Sequence, residues 1–217
     1  IRFVDSATRE NTFSIPLTLM LSTLREGASA PFSKDQAVLD IPGKKVSTKN
    51  PDGANVVLRQ FGDFALDYKS GRTSEPDFKT HSWALPNAGI AKSAVTSNWK
   101  ATGDCALATL VSSSPVGGSE NVASVKPMNA GPSVAGFEAQ MKDGATVWFQ
   151  CAAGTADLAC GPVKAKGATL LVEQRADGSL SGLALDASDI TVSGKILDKH
   201  PADFEFVVDA KGGVAME

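Results

Sequence analysis

The stretch ATVWFQCAAGTADLACGPVKAKGATLLVEQRADGSLSGLALDA, residues 145–187, decides the fold. In VWFQC, ATLLVEQ and LSGLALD the apolar side chains recur at every second position or cluster as β-branched residues. That period of two marks a strand with one buried face. Asp-Gly at 177–178 supplies the positive φ that a tight reversal requires. The stretch therefore reads as successive antiparallel strands.

The same grammar extends in both directions. ANVVLRQF from Ala54, FALDYKS from Phe64, CALATLVSS from Cys105, DITVSGKIL from Asp189 and DFEFVVDA from Asp203 are further strand runs. NPDG at Asn50, KDG at Lys142, SG at Ser193 and KGG at Lys211 are further turns. From Gly144 onward a strand falls every ~8–12 residues, the rhythm of a meander in a sandwich or barrel. The expected fold is all-β: an antiparallel β-sandwich of about a dozen strands with few or no helices. Leu17–Arg25 fits a helix or a strand equally well. Residues 112–132, rich in Gly, Pro and small side chains, read as a long connection and the one place for an internal boundary within a single domain spanning 1–217.

With 42% hydrophobic residues among 217, the chain can bury a sizeable core. A formal charge of -3 argues against nucleic acid as a partner, because phosphate binding needs clustered Lys and Arg. Six basic residues against four acidic between Arg59 and Lys100 make that region the better place for an anionic ligand. No apolar run approaches the roughly 20 residues of a membrane-spanning helix, so no membrane span is expected. The start shows neither an initiator Met nor a signal peptide, as expected of a mature product or a piece of a longer protein.

Cys151 and Cys160 stand at the ends of CAAGTADLAC. They lack the spacing and the histidine company of a metal site, and the short Cys-x-x-Cys of a redox centre. Two strands joined by a Gly-containing turn would bring the cysteines within the ~5.5 Å Cα separation of a disulfide. Such a bridge implies an oxidising compartment, hence a secreted, periplasmic or cell-surface protein. Two buried free thiols are the alternative. Cys105, in an apolar run, reads as a core residue.

His81 lies in DFKTHSWALPN, close in sequence to Tyr68, Lys69, Arg72 and Trp83. Together these types could serve β-elimination on a uronic acid. His81 and Tyr68 would exchange protons, while Lys69 and Arg72 would neutralise the carboxylate and Trp83 would line the sugar. The competing reading is a single surface histidine beside a packed tryptophan. Trp83, Trp99 and Trp148 form either a sugar-stacking platform or parts of the core. No metal or cofactor is demanded, and a structural calcium among the loop aspartates is left open.

The segments GATVWFQCAAG…ACGPVKAKGATLLVEQRADGSLSGLALDASDITVSGKIL…PADFEF, with FGDFALDYKSG, THSWALPNAG and GDCALATLV before them, carry a resemblance in strand order and turn placement. From about Val56 to Val208 the chain resembles the C-terminal β-sheet region of heparinase II/III-like polysaccharide lyases. The resemblance implies cleavage of an acidic polysaccharide by β-elimination, with His81 standing for the sheet histidine. The family's helical toroid has no counterpart here, so the chain would be the β-sandwich portion of an exported lyase. It would line a glycan groove and pack against a helical catalytic domain. The rival expectation is a non-catalytic structural, adhesion or ligand-binding module.

Overall fold

The computed structural model describes residues 2–3, 10–17, 37–40, 42–48, 54–63, 66–72, 93–198 and 202–216. Among these there is no helix, and the strands are antiparallel, as the alternating pattern requires. The strands before residue 115 are β1 (Arg2–Phe3), β2 (Glu10–Leu17), β3 (Ala37–Asp40), β4 (Lys45–Thr48), β5 (Asn55–Phe61), β6 (Leu66–Arg72), β7 (Ser93–Thr102), β8 (Cys105–Ala106) and β9 (Ala108–Ser114). Those after it are β10 (Val122–Pro127), β11 (Val134–Met141), β12 (Thr146–Cys160), β13 (Val163–Gln174), β14 (Leu180–Val192), β15 (Lys195–Asp198), β16 (Ala202–Val208) and β17 (Val214–Met216). Leu17 ends a strand rather than opening a helix; residues 18–25 lie outside the described residues.

One eight-stranded sheet dominates, in the order β10-β11-β12-β13-β14-β16-β17 with β15 paired to β14. Three of its hairpins reverse at one rim by the same device. Gly144, Gly178 and Gly212 each take a positive φ of 91°, 86° and 85° and donate to the carbonyls of Met141, Arg175 and Asp209. Ser193 and Gly194 form the tight β14–β15 reversal, both with positive φ.

The long strands are bent, and the bend makes the core. β12 carries extra residues between Cys151 and Ala156 relative to β13, and β14 slips register against β13 and β16. In β14 the slips fall at Asp186 and Asp189, both at positive φ, a conformation that aspartate tolerates better than most residues. These two irregularities let Ala184, Ala187, Ile190 and Val192 all reach the interior. Opposite them β13 needs Gly167, since a Cβ there would lie 2.9 Å from the Cα of Ala187.

β12 turns so sharply that its second half lies over its first. The Gln150 side chain accepts from the Ala159 N–H at 2.7 Å, although nine residues separate the two in one strand. Its amide nitrogen donates to the Met128 carbonyl at 3.0 Å. At the far hairpin Gly161 sits against the Trp148 ring, where a Cβ would meet ring carbons at 3.0 Å. Residues on both sides of the bend (Trp148, Leu170 and Val172 with Leu158, Cys160 and Ile190) form one core cluster between the two halves of the sheet.

A second cluster lies on the other face of the sheet. The four-stranded sheet β3-β4-β5-β9 covers β11 and β12 there, with Phe61 5.1 Å from Phe137 between ring centres. β2-β7-β6 form a three-stranded sheet, and β1 pairs with β8. The stretch read as a long connection contains β10, an edge strand of the large sheet.

The expected bridge between Cys151 and Cys160 is not made: none of the three cysteines is in a disulfide, and all are buried. The expected turn is absent: Thr146–Cys160 is one continuous strand, bent where its register slips against β13 between Cys151 and Ala156. Cys160 points into the first cluster, its Sγ 3.5 Å from the Leu170 carbonyl. Cys151 points into the second, its Sγ 3.9 Å from the Leu107 carbonyl. The sheet itself separates the two sulfurs. The argument for an oxidising compartment that rested on the bridge falls with it.

Gln150→Leu removes the side-chain partner of the part-buried Ala159 N–H and Met128 carbonyl and is expected to destabilise the fold by about 1–2 kcal/mol, because water can reach groups that are only partly buried. Urea unfolding should show this as a lower midpoint with an unchanged slope. Burial pushes the Cys160 thiol up to about 12 and raises Cys151 as well. Titration with a thiol reagent at pH 8 should therefore find no reactive cysteine in the native protein and three in guanidinium, with or without prior reduction.

Candidate functional site

A groove of ≈360 Å³ lies between β5, the β3–β4 turn and β10. That volume is at the small end of the ~300–1,000 Å³ range of ligand clefts. The β3–β4 turn is held by the Asp40 carboxylate, which accepts from the Gly43 N–H at 3.0 Å. Lys44 follows with φ 49° and donates from Nζ to the Gly62 carbonyl at 2.8 Å. Burial lowers the Lys44 pKa, and the nearby Asp63 carboxylate opposes that shift.

Strand alternation sets the chemistry of the β5 wall. Val57, Arg59 and Phe61 face the large sheet, and Phe61 packs on Phe137. Gln60 faces the opposite way and is buried, with neither amide atom partnered among the described residues. Arg59 is clamped by Glu120 through both guanidinium nitrogens, with Nη2 2.7 Å from Oε2. Ser112 of β9 donates to the same carboxylate. Burial raises the Glu120 pKa, but the Arg59 and Ser112 hydrogen bonds and the Arg59 charge outweigh it and hold the carboxyl below its ordinary value. This cluster pins residues 115–121, which lead into β10, against the four-stranded sheet.

β10 supplies the other wall, at one end of the large sheet as the described residues build it. Met128 donates to Gly136 at 2.9 Å, which identifies the even-numbered residues of β10 as the hydrogen-bonded partners of β11. Alternation then turns the N–H and C=O of Val125 and the C=O of Pro127 outward. No strand among the described residues pairs with that edge. The charged residues lining the groove are Lys44 and Arg59.

The residues singled out for β-elimination do not fall in this groove. Tyr68, Lys69 and Arg72 lie on β6, opposite Ser97, Thr96 and Ser93 of β7. His81 and Trp83 lie outside the described residues. Trp148 belongs to the core, its ring nitrogen donating to Glu138 at 3.1 Å. Among the described residues no group of three or more His, Cys, Asp or Glu is placed to hold a metal ion. No helix among them is long and apolar enough to cross a membrane.

A carboxyl with a depressed folded pKa contributes stability above its unfolded value and loses it as pH falls through the folded one. The Glu120 contribution should thus be complete at neutral pH and fade below pH ~4.5, the ordinary glutamate value. Glu120→Gln is expected to cost roughly 2 kcal/mol at pH 7, as for a hydrogen-bonded charge, and much less at pH 3. Denaturant midpoints at the two pH values measure the difference.

No family model matches the chain, and no curated protein matches it. The likeness to heparinase II/III-like lyases accordingly rests on strand order and turn placement alone.

Proposed function

We propose that the chain is a non-catalytic binding module: an all-β scaffold that offers the groove between β5 and β10 to a ligand. The observation that carries this reading is the make-up of the groove. Its walls combine a strand edge that no described strand pairs with, apolar side chains, and two cations whose positions are fixed by Gly62 and Glu120. Such walls suit holding a partner. They offer no His, Tyr, Cys or carboxylate side chain for proton transfer among the described lining residues.

A second reading, the β-sandwich portion of an acidic-polysaccharide lyase, is favoured by one observation: Tyr68, Lys69 and Arg72 fall together on the continuous strand β6. A helical catalytic partner, a polysaccharide ligand and an exported location belong to that reading. Incubation with a panel of acidic glycans, followed by ultraviolet absorbance of unsaturated products, separates the two. The module reading expects no product from the wild type. A steady rise in absorbance that His81→Ala abolishes would replace it with the lyase reading.

A further inference from the structure

Three donors converge on the Glu120 carboxylate. Arg59 of β5 donates from Nη1 to Oε1 and from Nη2 to Oε2, the second at 2.7 Å. The Ser112 hydroxyl of β9 also donates to Oε1, and Lys45 of β4 adds its charge from nearby. Both partners of the ion pair are largely shielded, with the Arg59 side chain 17% and the Glu120 side chain 15% exposed. Only an ionised carboxyl suits this arrangement, because a protonated one aims a donor at a donor. Protonation also leaves the guanidinium without its counter-charge where water reaches it poorly, which is costly.

Glu120 stands at the seam between the two sheets. Residues 115–119 are exposed, and Gly117 takes a φ of 66° in a turn closed by the Gly118 N–H and the Pro115 carbonyl. On one side Glu120 ties this turn to the four-stranded sheet. On the other, Lys142 of the β11–β12 hairpin donates from its main chain to the Asn121 carbonyl at 2.9 Å and from its side chain to Ser119. Arg59 lines the groove beside β10, so its guanidinium has a route to solvent once Glu120 lets go.

We propose that Glu120 is an acid-released latch: ionised, it holds residues 115–121 on the four-stranded sheet, and protonated, it frees that segment and lets Arg59 turn into the groove as an unpaired cation. The release is local, because the Asn121 main-chain bond and the packing of Phe61 on Phe137 do not titrate. Burial pushes the Glu120 carboxyl up, but the Arg59 and Ser112 hydrogen bonds and the Arg59 and Lys45 charges together bring it below its ordinary value of 4.5. The latch is thus closed at neutral pH and opens as pH falls below that value. It does not depend on the groove taking a ligand.

The test measures backbone order parameters and the Arg59 Nε chemical shift of the isotope-labelled protein, for the wild type from neutral pH into acid and for Glu120→Gln at neutral pH. In the wild type, residues 116–121 should fall from about 0.85, the value of rigid backbone, to below ~0.6 in acid. β11 and β13 should keep their neutral values throughout. The Arg59 Nε shift should change at the same midpoint as the segment, and Glu120→Gln should show the acid behaviour already at neutral pH. A segment that stays ordered in acid or in Glu120→Gln would overturn the proposal. So would a segment already mobile in the neutral wild type, or separate midpoints for Arg59 and the segment. Should the whole wild-type chain lose order in acid, Glu120→Gln at neutral pH decides: a mobile segment on ordered sheets sustains the latch, and any other result overturns it.

Discussion

The folded shape turns on a bond between a side chain and its own strand: the Gln150 amide holding Ala159 on one side and Met128 on the other. A strand that doubles back leaves main-chain groups near its corner without ladder partners, and a buried unpaired group is costly. Gln150 is itself buried, and its two hydrogen bonds run from the interior out to partly exposed main chain. With the corner closed, Leu158 and Cys160 come down on Leu170, and a single sheet supplies both layers of its own core. The outer face is then left for the four-stranded sheet, and the groove exists where that second sheet meets β10.

Much of this was written locally in the chain. The alternation in ATLLVEQ and the Asp-Gly and Gly-Gly turns required no distant information, and they correctly yielded an antiparallel, helix-poor fold. CAAGTADLAC read as two strands joined by a turn, where the chain keeps a single bent strand. What local pattern did not contain was the choice between pairing the two halves and stacking them, which depends on the Gln150 bonds and on small residues at the corner. β10 was hidden for a different reason. VASVKP is short, partly polar and contains proline, which is how an edge strand avoids unwanted pairing and also how a loop looks.

The groove was less legible still. Arg59 registered only as one of several basic residues, because its partner Glu120 stands 61 positions further along the chain. No periodicity or spacing links them; only the meeting of β5, β9 and the approach to β10 does. The residues that chemical type suggested, Tyr68 with Lys69 and Arg72, lie on a different sheet. Residue chemistry pointed to a reaction, whereas the geometry of the described residues assembles walls and an edge.

The separation of Cys151 from Cys160 by the sheet has a consequence for where such a chain can keep its shape. With every thiol of the protein unbridged and enclosed, no covalent cross-link contributes to the native state. Among the described residues cohesion comes from packing, hydrogen bonds and ion pairs such as Arg59–Glu120, none of which depends on the redox poise of the surroundings. A glutathione-rich fluid and an oxygenated one would hold it equally well.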